Sequence, residues 1–219
     1  MFYCHKDCQL KDWQSGHKYE CKVFRGNRYC TKSSSDTQRL LHRLWLCIKS
    51  DESFTTQTIQ LFDGSVVCLN DMEVDVSLIS EAKECMEEFE MICDSFEYFG
   101  HELYRKEMLR WFALIKRNTR CLNTEPQIFG DFQPKCSLDS ALYLCLYPQL
   151  SSVGHSCCPN SALVDNGFKL QLRAVKPIST TDEITISFID LINDKTDRKE
   201  LLKKYFIVCK CEKCEHILD

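Results

Sequence analysis

At 219 residues and 25.7 kDa the chain is long enough to bury a core and carry an appendage. Its 28 basic and 32 acidic residues leave a formal charge of -4, which gives no electrostatic case for direct nucleic-acid binding. There is no signal peptide and no apolar run of about twenty residues, so a soluble, intracellular, reducing setting is expected and a membrane partner is not.

The first segment, residues 1–24, holds two pairs of metal-type ligands, Cys4 with Cys8 and His17 with Cys21. Each pair is spaced about one helical turn apart, which lets both members face one ion. Either the four close around a single zinc, or they stay reduced and the segment is poorly ordered. Residues 25–36 read as a polar linker, and Ser33, Ser34, Ser35 and Asp36 offer N-caps for a helix over residues 37–49. Leu40, Leu41, Leu44, Trp45 and Ile48 make its apolar stripe. A second helix is predicted over residues 77–98, with Glu84, Glu87, Glu88 and Glu90 as a solvated acidic face, and a third over residues 102–117. Cys47, Cys93 and Cys145 fall in apolar stretches and are expected to be inert, buried thiols.

From Tyr143 the period changes to two. Ala162 and Val164, then Leu170, Leu172 and Ala174, alternate around Asn166-Gly167, a hairpin signal. Ile184, Ile186 and Phe188 alternate again, so short antiparallel strands are predicted here, followed by a charged helix over residues 197–205. The chain then delivers Cys209, Cys211 and Cys214. Three thiols cannot fill four-coordinate zinc, and Cys157, some fifty residues upstream in a short polar segment, is an apt fourth ligand.

The segment Gly154-His155-Ser156-Cys157-Cys158-Pro159-Asn160, the runs Leu172 to Val175, Asp182 to Thr185 and Phe188 to Leu191, and Tyr205-Phe206 together resemble the SET-and-MYND family of protein-lysine methyltransferases. The resemblance implies an α+β chain. Residues 1–24 correspond to the second half of a MYND zinc finger, and residues 25–142 to a linker and a helical SET insertion. Residues 143–206 correspond to the C-terminal part of an antiparallel SET core, and residues 207–219 to the post-SET cysteine cluster. On that likeness the N-terminal part of the SET fold and of the finger is absent. It further implies zinc, S-adenosylmethionine as cofactor, and a protein substrate or partner, histones among them, in nucleus or cytoplasm.

By the same resemblance His155 and Asn118 match cofactor-contacting residues and Tyr205 matches a tyrosine of the lysine channel. Phe188 stands where the family carries its catalytic tyrosine, Gly154 where an asparagine anchors the cofactor, and Ile207 where an aromatic often stacks on adenine. Each loss removes on the order of 1–3 kcal/mol of binding or transition-state stabilisation. The expected function is therefore that of a SET-domain protein of methyltransferase type with doubtful activity. The alternative is a catalytically inactive, zinc-binding interaction module.

Overall fold

A computed structural model describes residues 3–18, 20–21, 36–98, 100–101, 104–122, 143–166, 169–203 and 205–215. They form a mixture of helices and short strands in two compact units, residues 1–59 with 67–116, and residues 60–66 with 117–219.

In the first unit, helix α1 (Lys6–Asp12) is capped by the His5 ring, which accepts from the Cys8 N–H at 3.3 Å. It runs into a wider turn over Trp13–His17, where Gly16 adopts φ 146°. A Cβ on Gly16 would come within 2.9 Å of Arg43 Cγ, so glycine both permits the backbone and admits the arginine stem.

Helix α2 (Asp36–Ser50) matches its predicted span and buries Leu41, Leu44 and Cys47; the caps proposed at Ser33 to Ser35 lie outside the described residues. The single helix predicted over 77–98 is two, α3 (Val76–Glu81), capped by Asp75, and α4 (Lys83–Tyr98). Ala82 between them is extended, at φ -86° and ψ 101°. Alanine is the best helix former, so nothing at that position advertises a break. Helix α5 spans Arg105–Asn118; the start expected at Glu102 is outside the described residues.

Phe89, Phe96, Phe112, Leu114 and Ile115 are each at most 2 % exposed. Burying a side chain of this size contributes about 1.5–3 kcal/mol. The acidic face of α4 is more than a solvated side: Glu88 pairs with Lys116 at 2.6 Å, and Glu90 pairs with Arg105.

Two short strands, β1 (Ile59–Gln60) and β2 (Val66–Val67), precede α3. In the second unit, β3 (Thr119–Leu122) pairs antiparallel with β4 (Tyr143–Leu146). The hairpin read from alternation is present as β6 (Ser161–Asn166) and β7 (Lys169–Ala174), in register from Ser161↔Ala174 to Asn166↔Lys169; its Gly167 lies outside the described residues.

The third pair departs from expectation. Strands β5 (Gly154–His155) and β8 (Thr185–Ile186) run parallel. The intervening chain, which includes the β6–β7 hairpin, is long enough for the crossover that a parallel pair requires. Leu150, Val153 and Ile186 are buried beneath, with Leu163, Leu172 and Phe188 packed against them.

Helix α6 (Lys195–Lys203) starts earlier than predicted, because Asp194 caps it by accepting from the Asp197 N–H at 2.8 Å. It closes with Ile207 N–H donating to Leu202 O at 3.1 Å and Phe206 N–H donating to Lys203 O at 2.9 Å. Phe206 takes φ 57° to do so. That left-handed position usually belongs to glycine and costs another residue roughly 1–2 kcal/mol. A last turn, α7 (Glu212–Glu215), carries Cys214.

Candidate functional site

The chain reversal at Phe206 sends Cys209, Cys211 and Cys214 back to Cys157. All four Sγ atoms lie within 4.8 Å of one another, and Cys157 and Cys214 are 3.5 Å apart. Zinc–sulfur bonds of about 2.3 Å in a tetrahedron place sulfurs about 3.8 Å apart, so the donor set fits zinc in number, type and spacing. Burial and the neighbouring thiols push the Cys157 thiol well above its ordinary range. Burial also acts against ionisation of Cys211, yet hydrogen bonds from Cys209, Cys157 and Cys214 draw it down to about 6.

Four thiolates around a divalent ion carry a net charge of -2, and a cation is built in beside them. Arg198, on α6, is 2 % exposed, with Nη1 donating to Asn193 O at 2.7 Å and Nη2 to Lys213 O at 3.4 Å. Burial opposes its charge, but the Cys157 and Cys214 thiols more than offset this and raise its affinity for the proton. Lys213 Nζ donates to Leu191 O at 3.0 Å, tying the tail to the segment after β8. Sequence reasoning missed Arg198; in a helix of mostly charged residues, a buried arginine looks like any other charge.

His155 lies on β5 next to the thiols. Its Nδ1 accepts from the Phe188 N–H at 3.1 Å, which leaves the proton on Nε2, 3.5 Å from Cys157 Sγ. Burial lowers its pKa to about 4. The His155 and Phe188 rings meet edge to face at 5.5 Å, and Phe188 meets Tyr205 in the same way at 6.0 Å. Tyr205 and Ile207 pack on the cluster formed by Cys157, Ile189, Leu202 and Cys214.

Gly154 has no side chain, and the tip of Glu183 occupies that space: a Cβ there would collide with Glu183 Oε1. Asn118, at the end of α5, is 4 % exposed, unlike the exposed cap that is the simplest reading of a helix-end asparagine, and its carbonyl accepts from the Tyr147 N–H at 3.2 Å.

The N-terminal ligands are arranged differently. Cys4 and Cys8 approach to 3.2 Å and group with His5, a residue that spacing alone did not single out although it sits three positions before Cys8. His17 and Cys21 do not join them. His17 Nδ1 instead meets Glu20 Oε1 at 3.0 Å, and the buried Glu20 also binds Arg43 at 2.6 Å and Arg39 at 3.3 Å. Burial works against the Glu20 charge, and Arg43 and His17 overcome it, holding the carboxyl below its ordinary range. His17 and Cys21 thus lie outside the group formed by Cys4, His5 and Cys8.

Among the described residues no helix is long and apolar enough to cross a membrane. Cys47 and Cys93 are buried, and burial raises the Cys93 thiol to about 11, in keeping with inert core thiols; Cys145 is half-buried.

No protein-family model matches the chain. It is 28% identical over 216 residues to the N-lysine methyltransferase SMYD2-A of Xenopus laevis, covering 97% of this chain and 46% of that protein. It is 27% identical over 223 residues to the histone-lysine N-methyltransferase SMYD3 of Mus musculus, covering 97% and 46%. With the SET domain and MYND-type zinc finger protein 6 of Schizosaccharomyces pombe it shares 29% over 218 residues, covering 99% and 39%. The chain thus spans less than half the length of these relatives. The likeness extends over nearly the whole chain, and with the motif run and the gathered thiols it makes the chain similar to the SET-and-MYND protein-lysine methyltransferases.

Proposed function

We propose that the chain is a zinc-held SET scaffold of the protein-lysine methyltransferase type. In this reading residues 143–206 are the C-terminal SET core, 207–219 the post-SET cluster, 25–142 the linker and helical insertion, and 1–24 a partial MYND finger. The observation that carries it is the file of rings from His155 through Phe188 to Tyr205, packed beside four convergent thiols. The names of the relatives support a protein lysine, on histones or elsewhere, as the substrate class; a nuclear or cytoplasmic setting is part of the same proposal.

A lysine amine has a pKa of about 10.4 and must be neutral to attack a methyl group, so a channel must desolvate it and orient its lone pair. Phe188 and Tyr205 supply apolar walls for that, and Tyr205 carries a hydroxyl. Phe188 supplies no oxygen, which removes an oriented partner at its end of the channel. When bound, S-adenosylmethionine supplies the electrophilic methyl group. The side chains carried over for it fit it poorly, since Gly154 offers none, a carboxylate covers it, and both His155 nitrogens are engaged within the chain. Transfer by this chain is therefore expected to be slow.

Phe188 and the Glu183 tip over Gly154 also favour a second reading, a zinc-held module that binds proteins without methylating them. Calorimetric titration of the zinc-loaded chain with S-adenosylmethionine separates the two. The scaffold reading expects weak binding, and expects Phe188→Tyr to raise methylation of a lysine peptide by roughly 100-fold, the scale of one restored oriented donor. Absence of binding by both proteins overturns the methyltransferase reading and leaves the module.

A further inference from the structure

We propose that a cleft on the first unit, between α2 and α5, binds a methylated lysine side chain of a partner protein. The inference does not depend on the zinc or methyl-transfer reading. A cavity of about 310 Å³ is lined by Trp45 and Tyr104, with Ile48 and the buried Met108 as apolar surface and Glu52 and Glu107 as acidic groups. Its volume is at the low end for ligand clefts, which suits one long side chain rather than a cofactor.

The cleft already holds a cation of its own. Lys49 Nζ lies 5.8 Å from the centroid of the Trp45 ring and 5.6 Å from that of Tyr104, so two ring faces converge on one ammonium. Both distances fall within the reach of cation–π attraction. The tether to α2 makes this ammonium a stand-in that marks where a ligand cation would sit.

The site is held in shape from behind. The Trp45 ring lies 4.4 Å from His101 and meets the fully buried Phe96 at 90°. Glu107 is steadied by the Trp111 indole N–H, which donates to it at 3.3 Å. Tyr104 is 60 % exposed, which opens the cleft to solvent.

Charge and hydration select the occupant. Two carboxylates against one ammonium leave the lining net negative, which favours a second cation. A primary ammonium is strongly hydrated and gains nothing at the rings that Lys49 does not already gain. A trimethylated ammonium is larger and more weakly hydrated, so it exchanges water for aromatic faces at lower cost and displaces Lys49.

The test titrates the full chain with N-acetyl trimethyl-lysine amide while the Trp45 indole N–H is followed by NMR. Saturable shifts of that signal are expected, with affinity about 10-fold higher than for the unmethylated compound. Lys49→Ala should tighten binding about 5-fold by emptying the cleft, and Tyr104→Ala should weaken it about 10-fold. Tyr104→Ala is the variant least prone to disturb the fold, and its thermal melt serves as the control. The proposal is overturned if the trimethyl compound causes no shift, or if its neutral tert-butyl isostere binds equally well, which would mark a purely apolar groove. It is overturned equally if tetramethylammonium matches the lysine derivative, which would mark a small-ion site, or if Tyr104→Ala leaves affinity unchanged.

Discussion

The two units are held by different means. The first buries a run of helical side chains, Phe89, Phe96, Phe112, Leu114 and Ile115, and would keep its order through that burial alone. The second has strands of two to six residues and small apolar clusters, and its tail depends on four thiols, a buried guanidinium and a left-handed phenylalanine. One kind of stability is spread over many interchangeable contacts; the other is concentrated in a few groups that nothing else replaces.

The sharpest way to break this contrast is to remove metal. Chelation of zinc from the loaded protein is expected to cost the second unit on the order of 10 kcal/mol. Hydrogen exchange should then show loss of protection around Cys157 and in α6, while α4 and α5 keep theirs. Loss in both at the same chelator concentration would show that the two means of stabilisation are not separate.

The converse substitution is Phe112→Ala. It removes a fully buried ring and should destabilise the first unit by about 3–5 kcal/mol in denaturant melts, with zinc content by elemental analysis unchanged.

Acid should act on both units, since burial lowers the pKa of His155 in the second as it does that of His42 in the first. Burial lowers the pKa of His42 from 6.5 to about 4; His101 nearby adds to the effect and Glu20 opposes it. Between those values the unfolded chain takes up a proton that the folded chain refuses, so stability is present near neutrality and falls as pH falls. The full loss is about 3 kcal/mol, and melts from pH 7 to 4 should show it, with His42→Phe flattening the slope.

The smallest effect expected is that of Arg198→Met, which removes the positive charge beside the thiols while keeping much of the stem. Zinc affinity, measured by competition with a chelator, should fall about 10- to 100-fold with the helices intact. No change would mean that the guanidinium serves packing alone.

What the sequence made legible follows from the range of each signal. The four gathered thiols, the span of α2 and the existence of the β6–β7 hairpin rest on local spacing or on a motif, and a reader of the chain can find them. The register of that hairpin is not among them, since Asn166, read as a turn residue, pairs with Lys169, and Leu163 rather than Ala162 and Val164 packs inward. The parallel pairing of β5 with β8 depends on how a whole hairpin is crossed, and two residues carry no periodicity. The break at Ala82 is invisible because its local preference is helical. Glu20 and Arg198 were missed for a common reason: charged side chains are assigned to water unless partners distant in sequence are known, and Arg39, Arg43, Lys213 and the thiols come together only in the fold. At Gly154 the missing side chain was legible, but the carboxylate that fills its place was not.

Cys157 is separated from the other three thiols by about fifty residues, whereas those three are near neighbours. An ion held by all four is thus also a clip across a long stretch of chain. While the ion stays bound to the unfolded chain, such a cross-link narrows that ensemble by an entropy worth about 4 kcal/mol for a loop of this length. Lengthening the loop at the exposed Thr180–Thr181 turn should leave folded contacts untouched and change this contribution only logarithmically.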